Sequence, residues 1–401
     1  MSEEIETNKL IDDFNKNYNI SYVDENLPIP ANKDILKHYI CSLIVYGIGL
    51  LILIFNPFDN GLTQKVGNIG LSNIAITMYL LYLFIAPIFL FTLKPKTVFV
   101  SHNIDIVLYV LKVLNIKKNE KTSDIINRIT PDYRQSQALM IFFIKFFFGP
   151  QLICWTLEHI QNVSTNYKNF IDTNSFLQEQ AKAYGNYVFE ENIARYRGVI
   201  FDLLVQFLYF IDCIIFSIGY CTELVIFNNR IRTVDTSFMG IFVCLMCYPP
   251  FNTATSQFIA WNHNESNFEA ISVNANAIIV WILYILSLFL LFIYTSASIA
   301  LFTKASNLTN RGTVKIFPYN IIRHPAYISK VLLWWIGSIA VISELIDFNG
   351  FGTVILYLCS AFTWTFIYAL RAVTEEKHLS KDPEYKQYME KVKYRFIPYV
   401  W

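Results

Sequence analysis

Apolar residues gather along this chain in long unbroken runs, separated by polar stretches rich in Asn, Lys, Asp and Ser. Eight runs, about 38–56, 71–93, 138–160, 198–224, 238–260, 275–303, 326–346 and 351–372, reach the length needed to cross a bilayer. A spanning helix takes ~20 mainly apolar residues, because hydrocarbon holds no water to satisfy an open backbone. The pattern predicts an all-α polytopic integral membrane protein with about eight transmembrane helices. A ninth apolar stretch, 98–115, is interrupted by His102, Asn103, Asp105 and Lys112. It is expected to lie as an amphipathic helix on the inner surface. The fifth run contains Pro249 and Pro250, which remove backbone donors and must kink or unwind it. A membrane helix tolerates such a break only beside protein or a cavity, so the break is expected to form one wall of a substrate chamber.

No repeat of 20–50 residues is visible. Three regions are expected: a polar, acidic cytoplasmic leader over 1–37, membrane helices over 38–270, and a distinct membrane domain over 271–401. The leader contains no cleavable signal pattern, so the first span should direct its own insertion. Near the C-terminus, two runs form a hairpin turned at Asp347–Gly350. A tail helix follows, with Asp382 as cap and Pro383 in its first turn. Tyr385, Tyr388 and Val392 recur at helical spacing, which should turn the aromatics inward at the interface.

Composition agrees with the pattern. Hydrophobic residues make up 54% of the chain and charged residues 16%, against roughly a quarter charged in a soluble domain. Disorder, collagen-like repeats and disulfide scaffolds are excluded, and the balance of 32 Lys+Arg with 31 Asp+Glu gives no whole-chain argument for nucleic acid. Positive charge concentrates in 94–137, in the loop carrying Arg230 and Arg232, and in 304–325, while 261–274 and 347–350 have none. That alternation puts both termini in the cytoplasm, of a bacterial inner membrane or of the endoplasmic reticulum in a eukaryote. Lys168, Lys182, Arg195 and Arg197, in an expected outer loop 161–197, fit it least. The seven Cys fall in or beside apolar runs and read as reduced packing residues. The Cys244–Cys247 pair lacks a second pair or a nearby His, so no metal site is expected.

Some ionisable residues lie inside the runs: Lys145 and Glu158 in the third, Asp212 and Glu223 in the fourth. Charges in hydrocarbon must be paired or wet. Lys145 and Asp212 are expected at similar depth as a structural pair; a proton or ion path is the alternative.

Two polar clusters flank the C-terminal hairpin: Pro318–Lys330 (PYNIIRHPAYISK) before it and Arg371–Leu379 (RAVTEEKHL) after it. With almost no loop between the helices, Tyr319, Arg323, His324 and Tyr327 should face Arg371, Glu375 and Glu376. With DPEYKQYMEKVKYRFIP closing the chain, the stretch from about 300 to 401 resembles the catalytic end of the isoprenylcysteine carboxyl methyltransferase family. Phospholipid methyltransferases share that end. The resemblance implies S-adenosylmethionine as cofactor, contacted by Tyr319, His324, Pro325, Ala326, Tyr327, Glu375 and Glu376, with Arg311, Gly312, Thr313 and Val314 lining it. Arg371 would hold the acceptor's carboxylate. The acceptor implied is lipid-like or prenylated, entering from membrane lipid. Two features depart from the family: Phe317 stands where a Gly is frequent, and the N-terminal half is much longer.

The residue types suit that chemistry. Aromatic faces and a carboxylate stabilise a sulfonium cation. A guanidinium can grip a carboxylate at two points. An ionised carboxylate needs no general base, so positioning would supply most of the rate; an amine or thiol acceptor would need one, and His324 is the candidate. The closing Tyr394–Trp401 also resembles sterol reductases, making an NADPH-dependent reductase one alternative. The Glu375–Glu376 doublet argues against a cofactor with an extra phosphate. A non-catalytic transporter or scaffold is the other alternative.

Overall fold

The computed structural model describes residues 28–55, 65–66, 69–115, 122–184, 187–223, 229–256, 258–259, 277–348, 350–398 and 400. The leader up to residue 27 and the connection 261–274 lie outside these. Among the described residues the chain is almost entirely helical. Helix α1 (Asn32–Ile54) leads to a two-residue hairpin, β1 (Lys65–Val66) and β2 (Ile69–Gly70), and then to α2 (Leu71–Leu93). Helices α3 (His102–Leu114), α4 (Thr122–Ile129), α5 (Tyr133–Tyr184) and α6 (Tyr187–Cys221) follow. Next come β3 (Thr233–Val234), α7 (Phe238–Leu245) and α8 (Phe251–Thr255). The C-terminal portion holds α9 (Ala277–Leu301), β4 (Thr309–Asn310), α10 (Pro325–Phe348), α11 (Gly350–Leu379) and α12 (Pro383–Lys391).

Seven helices among the described residues are long and apolar enough to cross a membrane: Asn32–Ile54, Leu71–Leu93, Lys96–Leu114, Tyr133–Ala183, Arg195–Cys221, Ile278–Lys304 and Val354–Leu379. The protein is a polytopic helical membrane protein. Helix α9 shows why its residues favour lipid. Ile278, Ile282, Ile285, Phe289 and Phe292 recur every three or four positions and are all exposed. The opposite face buries Val280, Leu283, Tyr284 and Leu291 against Phe201 and Val205 of α6 and Ile336 of α10. A water-soluble helix would reverse that polarity on its outer stripe.

Three expectations are corrected. The fifth run, 238–260, is no continuous span: α7 ends at Leu245, a turn passes through the two prolines, and α8 lasts five residues. The 161–197 segment is no loop. Helix α5 runs for 52 residues and α6 for 35, about 78 and 52 Å at 1.5 Å per residue. Gln137 near the start of α5 bonds to Val234, and Gly219 near the end of α6 meets Ala305. The tip of this hairpin therefore lies far from the 305–324 linker. Lys145 does not pair with Asp212. Its Nζ donates to Glu223 at 2.5 Å, whereas Asp212 accepts from Tyr294 (2.7 Å) and from Ser298. Lys96–Leu114, expected on the inner surface, is also long and apolar enough to count among possible spans; its polar groups meet the start of α5 and the end of α4, Arg134 Nε donating to Asp105 at 2.8 Å and Tyr109 to the Ile129 carbonyl at 2.5 Å.

Helix α6 closes on the linker at Gly219. A Cβ there would overlap the Ala305 carbonyl oxygen, a backbone atom that cannot swing away. Gly219→Ala should therefore destabilise the protein by about 1–3 kcal/mol, the usual cost of overpacking. Gly198→Ala, in the same helix with nothing within 4 Å, should be neutral or better. Thermal unfolding of the detergent-solubilised variants checks this; equal Tm values would refute the close approach.

Candidate functional site

The site is built on the linker between α9 and α10. Its strand β4 pairs antiparallel with β3, Thr233 opposite Asn310 and Val234 opposite Thr309. This two-residue ladder ties the linker to the segment following α6. Gly312 has φ +92°, a backbone region that costs a side chain strain. A Cβ there would also come within 2.9 Å of Arg232 Nη2. Arg232 Nη1 donates to Asp382 at 3.0 Å and to Glu384 at 3.1 Å, and Asn310 Nδ2 donates to Asp382 at 2.8 Å. Asp382 caps α12 as expected, accepting from the Glu384 amide at 2.9 Å, and Tyr385 and Tyr388 turn inward. Burial raises the Glu384 carboxyl, but the charges of Arg232 and Lys315 outweigh it and hold it below its ordinary range.

Helix α10 begins at Pro325, where a missing N–H costs nothing. The two preceding residues are held by the C-terminal tail: the Arg323 amide donates to the Tyr394 carbonyl and the His324 amide to that of Arg395, both at 3.0 Å. The Arg323 side chain donates to the Val392 and Lys393 carbonyls, each at 2.8 Å. Buried beneath lies Glu376. It accepts from Arg323 Nε at 2.6 Å and from Arg395 Nη2 at 2.6 Å, and sits 3.1 Å from His324 Nε2. The Tyr327 ring stacks on His324 at 5.2 Å between centroids, and its hydroxyl donates to Glu375 at 2.5 Å.

Above this floor opens a chamber of about 150 Å³. Arg311, Gly312, Thr313, Val314, Tyr319, His324, Ala326, Tyr327, Arg371 and Glu375 all line it. Pro325 and Glu376 do not. Pro325 starts the helix, and Glu376 is occupied by its three partners. Arg371 is buried, with Nη2 donating to Asn307 Oδ1 at 2.5 Å. Its guanidinium lies 4.9, 5.5 and 5.9 Å from the Tyr327, Tyr248 and Tyr368 ring centres. Arg311 is also buried. Its Nη1 donates to the Asn229 carbonyl at 2.8 Å, while Nε and Nη2 find no hydrogen-bond partner among the described residues. Burial lowers this guanidinium from its ordinary value, opposed by Glu223; arginine stays charged regardless. Burial, and then the Glu375 charge, pushes the Tyr319 hydroxyl well up, which keeps it neutral.

Several lining residues lie outside the sequence-derived set: Phe216, Tyr248, Tyr294, Lys304, Asn307, Lys330 and Tyr368. Tyr248 had a signal, since it precedes the prolines of the broken fifth run. Lys330 had one too, as a cation four residues inside an apolar helix. Asn307 had none. Its backbone is held beside Arg371 by its own amide, which donates to the Tyr220 hydroxyl at 2.7 Å.

The two adjacent acids therefore separate cleanly in their consequences. Glu376→Gln should cost about 3–5 kcal/mol, because it leaves buried guanidinium charge uncompensated. Glu375→Gln should stay within about 1.5 kcal/mol, the scale of one hydrogen bond. Denaturant unfolding of both variants measures the difference, and equal losses would remove Glu376 from its structural role.

No protein-family model, curated protein or solved structure matches the chain.

Proposed function

We propose that the protein is an integral-membrane methyltransferase that uses S-adenosylmethionine and modifies a lipid-like or prenylated acceptor, on the cytoplasmic side of a bacterial inner membrane or of the endoplasmic reticulum. The observation that carries the reading is convergence. Residues 311–314, Tyr319, His324, Ala326, Tyr327, Arg371 and Glu375 come from a linker and two helices, yet they border one chamber.

The residues present suit the cofactor. Nε and Nη2 of Arg311, without partners among the described residues, are buried donors suited to a carboxylate. Glu375, held by Tyr327, offers a carboxylate to ribose hydroxyls or an ammonium group, and the Tyr319 and Tyr327 rings suit a sulfonium. When bound, the cofactor supplies an electrophilic methyl group. The chain's own task is to hold and aim the acceptor. Arg371, rigid between three tyrosine rings and Asn307, can present a carboxylate in one orientation. His324, 3.1 Å from Glu376, is placed to accept a proton if the acceptor is an amine or thiol.

One observation favours the reductase alternative. The chamber is lined by Lys304, Arg311, Arg323, Lys330 and Arg371 against Glu375 as its single carboxylate among the described residues. Such a surplus also suits the phosphates of NADPH, and Glu376 no longer counts against it.

Isothermal titration of the purified full-length protein with S-adenosylmethionine and with NADPH separates these readings. S-adenosylmethionine should bind and NADPH should not. Glu375→Gln and His324→Ala should each weaken S-adenosylmethionine by about tenfold or more, the scale of a lost charge-assisted hydrogen bond, in protein that still folds. Full affinity in both variants would defeat the site assignment, and silence with both ligands would favour a non-catalytic transporter or scaffold.

A further inference from the structure

Helices α6, α9 and α10 bring an acid and two hydroxyls together at one wall of the chamber. Tyr294 and Ser298 stand four residues apart on α9, hence on one face of it, and both line the chamber. Both donate to the buried Asp212 of α6, which lies behind them: the Tyr294 hydroxyl to Oδ2 at 2.7 Å and the Ser298 hydroxyl to Oδ1. A carboxyl group whose two oxygens only accept is ionised. Its charge also acts on Lys330 of α10, whose ammonium lies 5.1 Å from the Tyr294 ring centroid. The wall thus presents a phenol whose proton already points at a buried carboxylate, with a cation over its ring. Holding a cofactor or orienting a carboxylate uses none of these groups. Ser298 is the poorer carrier, because it is fully buried and an aliphatic hydroxyl is a much weaker acid than a phenol. His324 would take a proton only as a third cation, beside Arg323 and Arg395, around the one carboxylate of Glu376.

We propose that Tyr294 is a catalytic residue that passes the acceptor's proton to Asp212, and that the acceptor is an apolar molecule bearing a phenol. The inference rests on the methyltransferase reading. The acceptor oxygen bonds to the methyl carbon, and the carbon–sulfur bond breaks with its electron pair going to sulfur. The acceptor's proton goes to the Tyr294 oxygen while the Tyr294 proton goes to Asp212; it returns by the same hydroxyl to water once the product leaves. The positive charge on sulfur and the negative charge on Asp212 disappear in one step, which a low dielectric favours. The relay also selects the acceptor. A carboxylate has no proton to lose, and a neutral amine attacks through its lone pair before it loses one. A relay serves an acceptor that stays a weak nucleophile until its proton leaves. Phenols, at about 10, and thiols, at about 8.5, match the acidity of tyrosine, whereas aliphatic alcohols do not. The rings of Phe216, Tyr248, Tyr319, Tyr327 and Tyr368 on the chamber wall favour the phenol, because ring-on-ring contact adds to apolar burial.

The test is labelled methyl transfer from S-adenosylmethionine by the purified full-length protein in neutral detergent, with para-octylphenol, octanethiol, octylamine and octanoate as acceptors. Para-octylphenol should be methylated fastest. Tyr294→Phe, which keeps the ring beneath Lys330, and Asp212→Asn should each lower kcat at least about 100-fold, the usual worth of a positioned proton acceptor, and hold S-adenosylmethionine affinity within about twofold. The unmodified protein should turn over more slowly in deuterated water, and Tyr294→Phe should lose that difference. A merely structural tyrosine would not give that signature, which decides the matter if Asp212→Asn fails to fold. Unchanged kcat in Tyr294→Phe, or octanoate or octylamine methylated ahead of the phenol, would overturn the proposal, as would transfer to none of the four while S-adenosylmethionine binds. Octanethiol methylated ahead of the phenol, with the same dependence on Tyr294, would overturn the phenol and leave the relay. Absent S-adenosylmethionine binding would end the methyltransferase reading and this inference with it, whereas binding and transfer that ignore Tyr294 would end the inference alone.

Discussion

The buried carboxylate of Glu376 is the constraint on which the site depends. It draws together Arg323 and His324 at the start of one helix and Arg395 in the tail, groups 53, 52 and 19 residues away along the chain. A lone buried carboxylate would be prohibitively costly, and so would the guanidinium groups around it. Together they satisfy one another, and the surplus donors of Arg323 reach the Val392 and Lys393 carbonyls. The tail cannot leave without stranding charge. Because it cannot leave, the His324–Tyr327 corner is fixed, and Tyr327 can hold Glu375 toward the chamber.

The N-terminal half contributes by a different physical route. Tyr248, on the turn between α7 and α8, meets Asn307 and covers one face of Arg371. Tyr220 of α6 accepts the Asn307 amide, and Arg232 clamps the cap of α12 through Asp382 and Glu384. The Lys145–Glu223 pair supports that same segment, since Glu223 also accepts the Ile231 amide at 2.9 Å. Charges in the third and fourth apolar runs thus hold the loop that bears Arg232, a structural use that needs no ion path.

Much of this was legible in the sequence because bilayer physics leaves few solutions. Run length marked six of the eight expected spans, the two prolines set the break after Tyr248, and Asp382-Pro383 set the start of α12. The hairpin of α10 and α11 required its polar ends to meet. What was not legible depended on three-dimensional partner choice. Apolar length cannot say how far α5 continues beyond a membrane, because a polar helix extending into water carries no apolar signature. Lys145 had two acids in the fourth run to choose from, and depth alone did not distinguish Glu223, which a loop amide also holds, from Asp212, which α9 hydroxyls satisfy. Asn307 carries no spacing or charge that would mark it, yet it is the hydrogen-bond partner of Arg371.

The Glu375–Glu376 doublet shows how one such choice alters the chemistry. Successive residues on a helix point about 100° apart, so two neighbouring acids cannot both face one cavity. From sequence they count as two negative charges for a cofactor. In the fold, one is spent neutralising Arg323 and Arg395, which leaves Glu375 to face the chamber. A surface drawn from the motif alone would count two acids facing the cavity, whereas Glu375 is the single carboxylate on its wall among the described residues.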